Sequence, residues 1–162
     1  MRAAATLAWF MCAAAQAATV GAQAPAFTLE GRSGPVALAD FKGKTVYLDF
    51  WASWCGPCKR SFPWMAGLQQ RYGAAGLQVV AVNVDAQRAD AERFLAANPA
   101  PFAVAFDHGG ATPRQYAIKG MPSSVLVGPD GKVLYQHAGF NDDSAAEIED
   151  RIRAALAQKG QP

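Results

Sequence analysis

The chain has 162 residues with 15 basic and 13 acidic side chains, a formal net charge of +2, which argues against a protein that binds nucleic acid by neutralising phosphates. Its 51% hydrophobic and 17% charged residues suit one folded domain with a real core, not a disordered segment. Met1-Arg2 is a short basic start, and Ala3 to Ala15 is apolar except for Thr6. Ala15-Gln16-Ala17 then fits a small-x-small cleavage pattern, so residues 1–17 read as a signal peptide and 18–162 as the mature domain. The apolar run is shorter than the roughly 20 residues that span a bilayer, which makes an uncleaved anchor the second choice. Cys12 lies inside the run and leaves with it, and Met11 is a poor residue to precede a lipid-modified cysteine. The mature chain keeps two cysteines, Cys55 and Cys58, an even pair suited to an oxidising compartment outside the cytoplasm.

The elements follow in order. Ala26–Leu29 and Val36–Leu38 flank a Gly/Ser turn and predict a hairpin. Thr45 to Phe50 predicts a buried strand, and about Cys58 to Tyr72 a helix kinked at Pro63. Leu77 to Val84 is rich in β-branched valine and suits a strand covered on both faces. Ala89 to Ala97 reads as a helix with Phe94 and Leu95 inward, Phe102 to Phe106 as a short strand, and Pro113 to Ile118 as a short helix. Ser123–Val127 and Lys132–His137 are strands joined by the turn residues Pro129-Asp130-Gly131. Ser144 is expected to cap a last helix running to about Ala157 and burying Ile148, Ile152 and Leu156. Strand–helix alternation that ends in a hairpin and a helix predicts an α/β fold, a mixed sheet with helices on both faces.

Within this order, Trp54-Cys55-Gly56-Pro57-Cys58 sits where a strand ends and a helix begins. Free backbone N–H groups and the helix dipole there favour a thiolate over a thiol. A thiolate that attacks a disulfide, with a second thiol beside it, is the minimum machinery for thiol–disulfide exchange. A zinc site needs two more ligands, and Cys12, His108 and His137 are scattered through the chain without paired spacing. A permanently closed structural disulfide explains the pair but not its strand-to-helix position or the flanking tryptophans.

The run Asp49-Phe50-Trp51-Ala52-Ser53-Trp54-Cys55-Gly56-Pro57-Cys58-Lys59, with Pro63 five residues on and Gly120-Met121-Pro122 before the late hairpin, resembles the thioredoxin superfamily. The opening Ala24-Pro25-Ala26-Phe27-Thr28-Leu29, Lys42-Gly43-Lys44 and the stretch from about Asp85 to Asp107 resemble the exported TlpA/ResA-type branch, with its N-terminal hairpin extension and central helix–strand insertion. The resemblance covers Ala24 to Leu156 and implies a thioredoxin-like fold.

It also implies roles. Cys55 would be the exposed nucleophile, and Cys58, one turn into the helix, would resolve the mixed disulfide. Gly56 and Pro57 would set the spacing of the two thiols and favour a low potential. Pro122 would be cis and leave an edge beside the sulfurs open to a substrate backbone, to which Met121 would offer its amide. Trp54 would shape the apolar surface around the site, and Trp51 is either part of that surface or core. Asp49 would be the buried carboxyl that takes a proton from Cys58, its pKa raised by burial. One position departs from the branch. Many TlpA/ResA-type reductases carry a glutamate three residues after the second cysteine, where this chain has Ser61, which cannot take that proton.

These readings converge on an exported protein-disulfide reductase, a monomer in the periplasm or an equivalent compartment. No cofactor is expected beyond the redox-active Cys55–Cys58 disulfide, and no metal. Its partners would be protein disulfides and a membrane thiol reductant as electron donor; apocytochromes c and copper-site assembly factors are typical substrates of the branch. A dithiol oxidase or isomerase shares the motif and differs in potential. A Cu(I)-handling protein would use the same two thiolates. A thiol peroxidase is disfavoured, because the pair lacks the Thr-x-x-Cys arrangement that activates a peroxidatic cysteine.

Overall fold

A computed structural model describes residues 18–158, so the proposed signal peptide lies outside the described residues. The first elements are β1 (Thr28–Gly31) and β2 (Val36–Ala37), an antiparallel pair in register Thr28↔Ala37 and Leu29↔Val36. Glycine is required at position 31. A Cβ there would lie 2.5 Å from the Gly34 carbonyl oxygen and 2.7 Å from Val36 Cγ2. The chain then makes a 3₁₀ turn over Leu38–Phe41, so Leu38 leaves the predicted strand.

The central elements are β3 (Thr45–Trp51), α1 (Gly56–Tyr72), β4 (Leu77–Asn83), α2 (Arg88–Ala97) and β5 (Ala103–Phe106). Then come α3 (Ala111–Gln115), β6 (Ser123–Val127), β7 (Val133–Ala138) and α4 (Asp142–Gln158). One seven-stranded sheet has the order β2-β1-β5-β4-β3-β6-β7, with β3, β4 and β5 parallel and the outer pairings antiparallel. This is the mixed sheet, with its added N-terminal hairpin, that the sequence predicts.

Every residue of β3 is buried because both faces of the sheet are covered. Tyr47 and Trp51 point to the face packed by Phe62, Met65 and Leu68 of α1, Phe94 and Leu95 of α2, and Ile148 and Ile152 of α4. Val46, Leu48 and Phe50 point to the other face, closed by Ala18, Phe27 and Tyr116. Burying side chains of the size of Phe62 or Leu68 is worth roughly 1.5–3 kcal/mol each, so α1 is clamped to the sheet along its length. α1 continues through Pro63, whose missing N–H leaves the Lys59 carbonyl without its helical donor.

The starts of α3 and α4 differ from expectation, and in each a side chain reaches back to the free N–H groups. α3 begins at Ala111, not Pro113, because the Asp107 carboxyl accepts the N–H groups of Ala111 (3.3 Å) and Thr112 (2.6 Å). α4 begins at Asp142. Asn141 Oδ1 accepts the Ser144 N–H at 2.8 Å, while Ser144 Oγ accepts the Asn141 N–H at 2.9 Å. Asn141 is therefore the cap and Ser144 its reciprocal partner. Asn141→Ala is expected to cost about 1 kcal/mol in urea unfolding; an unchanged midpoint would show that the cap contributes nothing. Further along α4 the buried residue after Ile148 and Ile152 is Ala155, and Leu156 is half-buried. Spacings of four then three keep closer to 3.6 residues per turn than two spacings of four.

Candidate active site

The parallel strands β3, β4 and β5 all end at one edge of the sheet, and the cysteine pair stands there. Cys55 directly precedes α1 in extended conformation (φ −83°, ψ 107°), and Pro57 occupies the first turn, where a missing N–H costs least. Cys55 and Cys58 are joined by a disulfide, Cα to Cα 5.3 Å. The Cys58 N–H donates to Cys55 Sγ at 3.3 Å, so the sulfur acts as the helix cap. The nucleophile expected to be exposed is 3% exposed in this oxidised form, against 0% for Cys58. It is the neighbouring Trp54, 72% exposed, that stands out from the surface.

Asp49 lies between Tyr47 and Trp51 on the α1-facing side of β3 and is 1% exposed. Among the described residues its Oδ2 has no hydrogen-bond partner. Burial alone pushes its carboxyl well above the ordinary range. Trp51 is core: its ring packs edge-on against Phe62 and tilted against Phe94, each with centroids 4.8 Å apart. Trp64 is packing as well, edge-on to Tyr47 at 5.6 Å and tilted on Phe140 at 5.2 Å. Ser61 is buried, and its hydroxyl donates to the Cys58 carbonyl at 3.1 Å.

The Met121–Pro122 peptide bond is cis. Ser123 pairs with Phe50, so Pro122 falls at the end of β3 from which the cysteine loop departs. The Pro122 carbonyl accepts the Gly139 N–H at 2.8 Å, and the Ser123 hydroxyl donates to the Gly120 carbonyl at 2.7 Å. Met121 is half-buried and touches both core clusters.

Sequence reasoning missed Ser53, Asn83 and Asp85. Asp85 is 2% exposed and follows the end of β4. Its carboxyl accepts the Ser53 N–H at 2.9 and 3.2 Å, the Ser53 hydroxyl at 3.0 Å and the Asn83 amide at 2.8 Å. His108, which the sequence left without a partner, places Nδ1 2.9 Å from the Asp85 carbonyl oxygen. The available signal was Asn83-Val84-Asp85 itself, polar residues closing an otherwise apolar strand.

Residues 19–152 match the Redoxin family. Among curated proteins, the thiol-disulfide oxidoreductase ResA of Bacillus subtilis is 35% identical over 125 residues, 76% of this chain and 70% of ResA. ResA of Bacillus thuringiensis is 33% identical over 137 residues, 83% of this chain and 77% of that protein. Among solved structures, a Chlorobium tepidum protein provisionally assigned as the thiol:disulfide interchange protein DsbE superposes with a TM-score of 0.85 at 55% identity, covering 86% of this chain and 99% of its own. The thioredoxin domain of a thiol-disulfide oxidoreductase from Bacteroides vulgatus gives a TM-score of 0.74 at 26% identity, covering 83% and 98%.

Proposed function

Because the chain belongs to the Redoxin family, as a TlpA/ResA-type member of the thioredoxin superfamily, and is a thiol–disulfide oxidoreductase, we propose that it works as a reductase of protein disulfides outside the cytoplasm. Reduced Cys55 attacks a substrate disulfide, forming one sulfur–sulfur bond and releasing a substrate thiolate. Cys58 then attacks Cys55 Sγ, frees the second substrate thiol and leaves the enzyme oxidised. The proton of the Cys58 thiol goes to the Asp49 carboxylate. Two electrons leave the enzyme in each cycle, so a membrane thiol reductant must return them. Trp54, Met121 and Pro122 form the surface on which the substrate chain lies.

The direction of the reaction rests on the surroundings of Cys55 Sγ. Among the described residues it receives one hydrogen bond, from the Cys58 N–H, and Pro57 has no N–H to offer. A strong oxidant owes its high potential to a stabilised reduced form. Sparse donors around the thiolate favour the opposite, a reducing couple. Export rests on the apolar N-terminus that precedes the described residues; among the described residues no helix is long and apolar enough to cross a membrane.

The reduction potential of the Cys55–Cys58 couple, from redox equilibration of the mature domain at pH 7, tests the direction. A value near −270 mV, roughly that of thioredoxin, is expected. A value at or above about −180 mV would overturn the reductase reading in favour of a dithiol oxidase or isomerase.

A further inference from the structure

The hydrogen bonds at the ends of the parallel strands converge on one buried carboxyl that the exchange reaction does not use. The geometry points to Asp85 as a positioning residue for Cys55, one that fixes the loop carrying the attacking sulfur. This inference rests on the reading of Cys55 as nucleophile and adds the residue that holds it in place.

The loop from Ala52 to Cys55 has few ties of its own. The Cys55 N–H bonds back to the Ala52 carbonyl at 3.1 Å, closing the turn, and the Trp54 side chain stands in solvent. Ala52 and Cys55 pack into the core, and among the described residues the loop's hydrogen-bonded attachment to the neighbouring strand is Ser53. The Ser53 N–H and hydroxyl both end on the Asp85 carboxyl. Asp85 is fixed in turn: Asn83 donates its amide to the carboxyl at 2.8 Å and accepts the Asp85 N–H at 3.0 Å. Asp107 donates its N–H to the Asn83 carbonyl at 2.8 Å, and His108 meets the Asp85 carbonyl. Loops after β3, β4 and β5 are thereby locked to one another two residues before Cys55. On its outer side Ser53 borders a groove that also contains Lys59, Asp90 and Arg93, none of which bonds to it.

The consequence for Cys55 lies in where its sulfur sits. As helix cap it must lie in line with the Cys58 N–H, a placement that depends on the backbone of residues 53–55. Releasing the Ser53 N–H lets that backbone drift and weakens the one hydrogen bond that supports the thiolate. The direction is diagnostic. Removing a nearby negative charge, taken alone, lowers a thiol pKa. Loss of positioning raises it.

The test compares Asp85→Ala with Asp85→Asn, which lacks the charge but keeps an oxygen able to accept the Ser53 N–H. The readouts are the Cys55 pKa, from thiolate absorbance of the reduced protein, and the rate of attack on a small aromatic disulfide below that pKa. Asp85→Ala is expected to raise the pKa by about one unit, the scale of one lost charge-assisted bond. Attack then slows by about three- to fourfold, because the tenfold loss of thiolate is partly offset by a more nucleophilic sulfur. Asp85→Asn is expected to stay at or below the wild-type pKa, and Ser53→Ala, which keeps the backbone bond, to match wild type. A fall in pKa in both Asp85 variants would overturn the inference in favour of a charge effect. An unchanged pKa in Asp85→Ala, with only its melting temperature lowered, would reduce Asp85 to a structural tie. Cys55→Ser separates the two readings. If it still reduces disulfides, the nucleophile assignment fails, whereas the pKa comparison still reports on Asp85.

Discussion

With Cys58 replaced by serine, turnover is expected to stop after the first chemical step. Cys55 still attacks, but no thiol within reach frees the product, so the enzyme accumulates as a one-to-one mixed disulfide with its substrate. Non-reducing electrophoresis and intact-mass measurement would show the adduct, and dithiothreitol would release it. Cys55→Ser is expected to give no adduct and to lose catalysis down to the uncatalysed background, since serine at its ordinary pKa is no nucleophile for sulfur. The asymmetry follows from chain order at the helix end. Cys55 is the cap, outside the first turn, while Cys58 lies inside α1 with no exposed surface and its N–H engaged by the other sulfur. An adduct on Cys58 in the Cys55→Ser protein, at the rate seen for the reverse pair, would overturn the assignment of the two roles. The Cys58→Ser protein would also capture its exchange partners from a cell extract, and their mass spectra would identify the proteins on which the proposed reductase acts.

Asp49→Asn is expected to stabilise the oxidised protein at neutral and alkaline pH and to slow its chemistry. Burial raises the native-state pKa of Asp49 above the unfolded value of about 3.9. Between those two values the native protein holds a proton that the unfolded chain has released. The stability of wild type is therefore fully present below the unfolded pKa. It falls as pH rises through the window up to the raised native pKa, and is level above it. Asparagine has the same shape and nothing to ionise. The difference between variant and wild type should be small near pH 4 and grow by up to about 1.4 kcal/mol per pH unit across the window. Urea unfolding of both proteins between pH 4 and 9 measures it, and a difference independent of pH would show that Asp49 does not titrate with folding. In catalysis, on the proposed role of Asp49, the same variant loses the acceptor for the Cys58 proton. Release of the mixed disulfide is expected to slow by about a hundredfold, the low end of general-base effects. Ser61 does not replace that acceptor, because its hydroxyl is already committed to the Cys58 carbonyl.

The two variants separate reaction from scaffold. Cys58→Ser changes what happens after attack, and Asp49→Asn changes the proton balance behind it. The Asp85 variants act earlier, on the readiness of Cys55 to attack.

Much of this protein is written locally, and that part was legible in the chain. Leu77 to Val84 carries valines at 79, 80, 82 and 84 and an apolar stretch from Val79 to Val82, a pattern that suits a strand covered on both faces, and it forms the centre of the sheet. Pro129-Asp130-Gly131 needs a positive φ at its last residue, and Gly131 has φ +81° between the two antiparallel strands the sequence predicts there. The cysteine pair, its spacing and its place between strand and helix are likewise properties of a short segment.

What the chain alone did not decide are contacts between residues far apart in sequence. Asp85 and Ser53 are 32 residues apart, and no periodicity or spacing marks them as partners; they meet only because β4 lies beside β3 in parallel register. Whether Trp51 was core or site surface turned on Phe94, brought over it by α2. The expectation that Cys55 would be exposed came from its place at a helix end, but exposure is set by whatever else packs there, and in the oxidised fold that leaves it 3% open. Local signals settle backbone conformation because neighbouring residues act on the same few torsions. Burial, hydrogen-bond partners and the pKa of a carboxyl such as Asp49 depend on atoms that only the folded sheet brings together.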